Sequence, residues 1–155
     1  MKKTIFVMIF AMVLAFSLAA EEKIDMEQEK AAVKAAVLNY IEGWYEGNVE
    51  RMDKALHPEL LKRAPRPFQP TNTLIINSLS KSNMLEYTRA GFGKQFPKDK
   101  LELSVTVLDV YNHVATAKSV SPEFVDFLHL VKVNGEWKIL NVLWEGTQPP
   151  PPPKK

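Results

Sequence analysis

From Phe124 to Trp144 the apolar residues fall into two runs on either side of Asn134-Gly135, FVDFLHLVKV and EWKILNVLW. Asn-Gly between such runs marks a two-residue type I′ turn, because both central positions need positive φ. The turn implies a register. Val133 faces Glu136, Leu130 faces Ile139, Leu128 faces Asn141 and Asp126 faces Leu143. With side chains alternating across the sheet, one face carries Asp126, Leu128, Leu130, Trp137, Ile139, Asn141 and Leu143. The other carries Val125, Phe127, His129, Val131, Leu140, Val142 and Trp144. Both faces are mostly apolar, unlike a sheet with one solvated side. One face is therefore expected to pack on helices and the other on a further surface, such as a second copy of the chain.

Upstream the period changes. Val33, Val37, Tyr40, Ile41 and Trp44 fall on one stripe of a helix spanning Met26 to Tyr45, with Lys34, Glu42 and Glu46 off it. Gly47 is placed to stop that helix in a left-handed conformation, and Asn48 to cap a second helix from Val49 to Leu56. The second helix ends at His57, since Pro58 disfavours the α region for the residue before it. A short strand over Leu60–Arg63 is followed by a loop punctuated by Pro65, Pro67 and Pro70, then by a strand within Thr71–Leu79. Ser80 or Ser82 caps a third helix through Tyr87, which Ala90-Gly91-Phe92-Gly93 breaks. Strands over Leu101–Tyr111 and His113–Val120 meet at a turn at Tyr111-Asn112 and lead through Ser121-Pro122 into the hairpin. Helices first and four consecutive antiparallel strands last make an α+β domain. Its curved antiparallel sheet is expected to curl into a cone, with the three N-terminal helices on the concave face.

Composition changes the picture mainly at the two ends. Residues 1–20 read as a signal peptide: Lys2-Lys3, an apolar run from Ile5 to Phe16, then small residues before Glu21-Glu22. The run is shorter than the roughly 20 residues a membrane span needs. Export to the periplasm or beyond is the expectation, leaving one domain over 21–146 and no membrane association after cleavage. Loss of Lys2 and Lys3 leaves 18 basic against 18 acidic residues, and no basic patch with interleaved aromatics marks a nucleic-acid partner. The chain has no cysteine, which excludes disulfides, thiolate metal sites and a cysteine nucleophile. Residues 147–155, with five consecutive prolines and a Lys-Lys end, read as a polyproline II tail, disordered or a docking ligand.

Several stretches resemble a known family. GEWKI (Gly135–Ile139), YIEGWYEGN (Tyr40–Asn48) and the order of elements resemble the nuclear transport factor 2-like superfamily. ALHPEL (Ala55–Leu60) and DFLHL (Asp126–Leu130) are similar to its putative lumazine-binding branch. The resemblance implies a cystatin-like roll, commonly dimeric through its sheet, with a pocket between the first helix and the concave face. The superfamily includes isomerases, cyclases, dehydratases and non-catalytic modules, so the fold does not choose among them.

The candidate residues follow from these faces. Asp126, on an apolar strand face, is a buried base or hydrogen-bond anchor, or else a carboxylate that reaches solvent. His57 sits where a helix C-terminus favours imidazolium, at a pocket mouth or as a simple cap. Tyr40 and Trp44 are helical neighbours able to wall a planar ligand, or else core. Asn141 and Leu128 share the Asp126 face in the register above. His129, on the opposite face, suits a core or interface position, and His113 an exposed turn. The three histidines have no metal-ligand spacing, and no cofactor is required. Lys62 and Arg63 read as a solvated strand end. The expectation is a homodimeric binder of a small molecule, with a site of Tyr40, Trp44, His57, Asp126, Leu128 and Asn141. The alternatives are an isomerase- or cyclase-type enzyme with Asp126 as general base, and a dimerisation module without catalysis.

Overall fold

The computed structural model describes residues 25–147. The expected leader and nearly all of the proline-rich tail lie outside this range. Helix α1 (Met26–Glu46) begins at Asp25, whose carboxylate accepts from the backbone N–H groups of Glu27 and Gln28. It ends at Gly47, in the left-handed region at φ 64°. Asn48 caps α2 (Val49–Ala55) by accepting from the Arg51 N–H at 3.1 Å. The cap fixes the sharp turn between the helices, and Arg51 locks it by pairing with Glu42 and Glu46 on α1.

The second helix stops one residue early, at Ala55, because Leu56 is already extended and starts β1 (Leu56–Phe68). This strand is far longer than the expected Leu60–Arg63. Pro65 and Pro67 lie beyond Arg63, the last β1 residue paired with β6 (Glu136–Gly146). The two prolines therefore interrupt no pairing on that side. β1 turns back into β2 (Thr73–Ser80). Ser80 then caps α3 (Lys81–Arg89) through a reciprocal box with Asn83. β3 (Ser104–Tyr111), β4 (Val114–Val120), β5 (Phe124–Val133) and β6 complete the sheet, in the order β2-β1-β6-β5-β4-β3. All neighbouring strands are antiparallel except β1 and β6, which run parallel. The α+β architecture with three helices and a curved open sheet is the one expected, but the sheet is mixed and not wholly antiparallel, because the long β1 lies parallel to β6.

The helices cover one face. Val33, Val37 and Ile41 of α1, Met52 of α2, Leu128 of β5 and Ile139 and Val142 of β6 are each at most 2% exposed and form one core. Glu29 ties the start of α1 to the hairpin base, pairing with Lys132 at 2.6 Å and accepting from Trp137 Nε1 at 2.8 Å. The Lys132 hydrogen bond holds the Glu29 carboxyl below the usual range.

The Asn134-Gly135 turn is as expected, with φ 52° and 81°. Pairing follows the expected register from Val133–Glu136 to Leu130–Ile139. There a bulge intervenes, leaving Leu140 unpaired, so that His129 faces Asn141, Leu128 faces Val142 and Asp126 faces Trp144. One extra residue flips every later side chain of β6 to the opposite face. Val142 and Trp144 turn inward, while Asn141 and Leu143 turn outward. The expected pairing of Leu128 with Asn141 and of Asp126 with Leu143 is corrected accordingly.

Candidate functional site

The inner face of β1 is set by alternation: Leu60, Lys62 and Ala64 are buried, while Leu61 is exposed. Lys62 is thereby carried under the helices, with only 5% of its surface exposed. It is not a solvated strand end. Its Nζ donates to Asp126 Oδ1 at 2.5 Å and to the Tyr40 hydroxyl at 2.7 Å. Tyr40 in turn donates to Asp126 Oδ1 at 3.3 Å, and Ser119 Oγ of β4 donates to Oδ2 at 3.3 Å. Asp126 is 1% exposed, so this is a buried ion pair with its hydrogen-bonding capacity largely met. Burial pushes the Lys62 ammonium below the usual lysine range, outweighing the attraction of Asp126. Burial, then the Asp126 charge, pushes the Tyr40 hydroxyl well above its usual value.

Above this pair lies a cavity of about 160 Å³, lined by Tyr40, Ile41 and Trp44 of α1, Met84 and Tyr87 of α3, Leu79 of β2, Lys62, Phe124 and Trp144. Lys62 Nζ sits 4.6 Å from the centre of the Trp144 ring, and Phe124 meets Trp144 edge-on at 5.2 Å. With the Lys62 amine drawn to Asp126 and Tyr40, its methylene stem supplies the wall (a long cationic side chain keeps its head with its partner). Trp44 Nε1 is buried without an acceptor and abuts Gly93. Any side chain at Gly93 would collide with the Trp44 carbonyl and ring.

Of the residues expected at the site, Tyr40 and Trp44 line the cavity, and Asp126 lies behind Lys62, out of the lining. Leu128 is core, 1% exposed, one pleat further in. Asn141 is on the outer face because of the bulge. His57 accepts from the Glu59 N–H at 3.1 Å and takes no part in the lining, since β1 has already begun at Leu56 and the ring bends back on its own turn. His129 is on the outer face, as expected, but exposed there instead of in a core, and His113 is exposed, as expected. The lining residues missed are Ile41, Lys62, Leu79, Met84, Tyr87, Phe124 and Trp144. A buried Asp126 needs a cation, but Leu60-Leu61 fits either parity, so the alternation alone does not single out Lys62.

The model of the family described as putative lumazine-binding matches residues 28–145. The chain belongs to that family. Among solved structures, this member of the putative lumazine-binding family is similar to a nuclear transport factor 2-like protein of unknown function from Silicibacter pomeroyi (15% identity, TM-score 0.64, covering 79% of this chain and 99% of that one). It is similar to another from Shewanella baltica (16%, TM-score 0.64, 82% and 100%) and to a ketosteroid isomerase-like protein from Erwinia carotovora (12%, TM-score 0.52, 78% and 98%). These likenesses establish the nuclear transport factor 2-like fold of the family member. No curated protein matches it.

Beside the site, Tyr45 donates to Ser121 Oγ at 3.1 Å. Burial, with the Glu123 charge, pushes its hydroxyl up to about 12. A folded value above the ordinary one near 10 means stability that is complete below pH 10 and lost as pH climbs towards 12. The urea midpoint is expected to fall across that window, and Tyr45→Phe to flatten part of the fall. An unchanged slope in Tyr45→Phe would show that Tyr45 is not a source of it.

Proposed function

We propose that this is an exported binding domain for a small apolar or aromatic molecule held in the cavity between α1, α3 and the sheet. The apolar wall formed by Tyr40, Trp44, Met84, Phe124 and Trp144 carries this reading. About 160 Å³ is below the roughly 300–1,000 Å³ of drug-sized sites and close to the ~150 Å³ apolar cavity that admits benzene. A pteridine, with polar atoms on most edges, fits such a wall less well than a single ring or a short alkyl chain. The acid–base alternative has less support, since Asp126 is engaged by Lys62, Tyr40 and Ser119 and does not line the cavity. The leader-like residues 1–20 support export, and no helix among the described residues is long and apolar enough to cross a membrane.

A second reading accompanies the first: the outer sheet face pairs two copies. Phe127 (51% exposed) and Leu143 (55%), paired across β5 and β6, and Val114 (55%) of β4 present apolar side chains on that face.

Both are tested directly. Toluene is expected to shift amide resonances of the cavity residues in NMR spectra, and Leu79→Trp, which fills the space, to abolish the shifts. Shifts absent in the parent chain would overturn the cavity reading. Native mass spectrometry of protein purified from its own host is expected to show a dimer and a retained small mass. A monomer would overturn the pairing of copies.

A further inference from the structure

Trp144, one wall of the cavity, is flanked by two cations. Lys62 Nζ lies 4.6 Å and Arg66 Cζ 4.3 Å from its ring centre. Among the described residues the one ion pair these two cations make is Lys62 with Asp126, at 2.5 Å. Arg66 is partly buried and makes no ion pair or side-chain hydrogen bond among the described residues. It also shares the inner face of β1 with Lys62: Lys62 pairs with Leu79, which lines the cavity, and Arg66 pairs with Ile75 further along the same two strands. Arg66 is not itself part of the cavity lining but stacks on Trp144, which is, so a guanidinium held by an aromatic ring and with its donors free among the described residues stands next to the apolar cavity. Arginine presents those donors as a planar fork that matches a carboxylate.

We infer that the ligand is a small monocarboxylic acid, its apolar body in the cavity and its carboxylate on Arg66 at the rim. The inference rests on the binding role proposed above and adds the charge of the ligand to it. The acid supplies the counter-charge missing around Trp144. Its head stays at the rim, where water still reaches it, so no second charge is buried beside Lys62 and Asp126.

The test is calorimetric titration of the full domain with benzoate, phenylacetate and 3-phenylpropionate, each against the alcohol in which CH2OH replaces the carboxylate. The best acid is expected to bind at least ~10-fold more tightly than its alcohol, as a charge-assisted hydrogen bond worth about 1.5–3 kcal/mol requires. Arg66→Met is expected to erase that preference while leaving the alcohols unchanged, and Arg66→Lys to keep part of it. Acids and alcohols binding alike, or a preference that survives in Arg66→Met, would overturn the inference and leave the cavity reading standing. If neither the acids, the alcohols nor toluene bind, both fail together.

Discussion

Replacing Lys62 by Met is expected to cost about 3–5 kcal/mol of folding stability, and most of that loss is expected to return when Asp126 is replaced by Leu in the same chain. The two side chains are 6% and 1% exposed and 2.5 Å apart. Removing the ammonium leaves a carboxylate sealed under α1 with only the hydroxyls of Tyr40 and Ser119 to solvate it. Two hydroxyl donors do not replace a full counter-charge. Removing both charges deletes the desolvation penalty along with the attraction, and Met and Leu keep the length and branching of the side chains they replace, the remaining cost being the acceptor that the Tyr40 and Ser119 hydroxyls lose. The measurement is a urea-unfolding double-mutant cycle on the parent, both single variants and the double variant. A Lys62→Met chain as stable as the parent would mean that the lysine does not lie where the strand alternation puts it. A double variant no better than the worse single variant would mean that the pair has a packing role its charges do not explain.

Why a buried pair was half visible in the sequence follows from local rules. Asp126 stands out because its strand alternates clearly: Leu128 and Leu130 are in, Phe127 and His129 out. Lys62 does not, because Leu60 and Leu61 are both leucine and either parity satisfies the pattern. The prolines at 65 and 67 hide the length of β1, a strand they do not break because β6 has already left it. The caps were plain from local chemistry alone. Asp25 escaped notice, but Gly47, Asn48 and Ser80 each do what their residue type allows at a helix end. Phe124, Met84 and Tyr87 gave no signal, since the cavity is made by two helices and four strands distant in the chain, and only the folded sheet brings them together.

The bulge at Leu140 is where local reading and fold part company, and it sets the second large expectation. Ile139-Leu140 and Val142-Leu143 flank Asn141 with apolar residues on both parities, so no alternation marks the slip. In a regular hairpin Asn141 would face the core side and Val142 the outer side. With the bulge Val142 is 2% exposed in the core, while Asn141 stands opposite His129 on the outer face. Val142→Asn is therefore expected to lose the ~1.5–3 kcal/mol of a buried valine and to strand an amide costing a further ~1–3 kcal/mol, about 2.5–6 kcal/mol in all. Asn141→Val is expected to stay within about 0.5 kcal/mol of the parent, as outer-face substitutions do. Urea midpoints of the two variants decide it, because the two registers predict opposite orders. If Asn141→Val changed stability by several kcal/mol while Val142→Asn was silent, the hairpin would be regular. Trp144 would then face outward, and the cavity would lose the wall that places both Lys62 and Arg66 beside it.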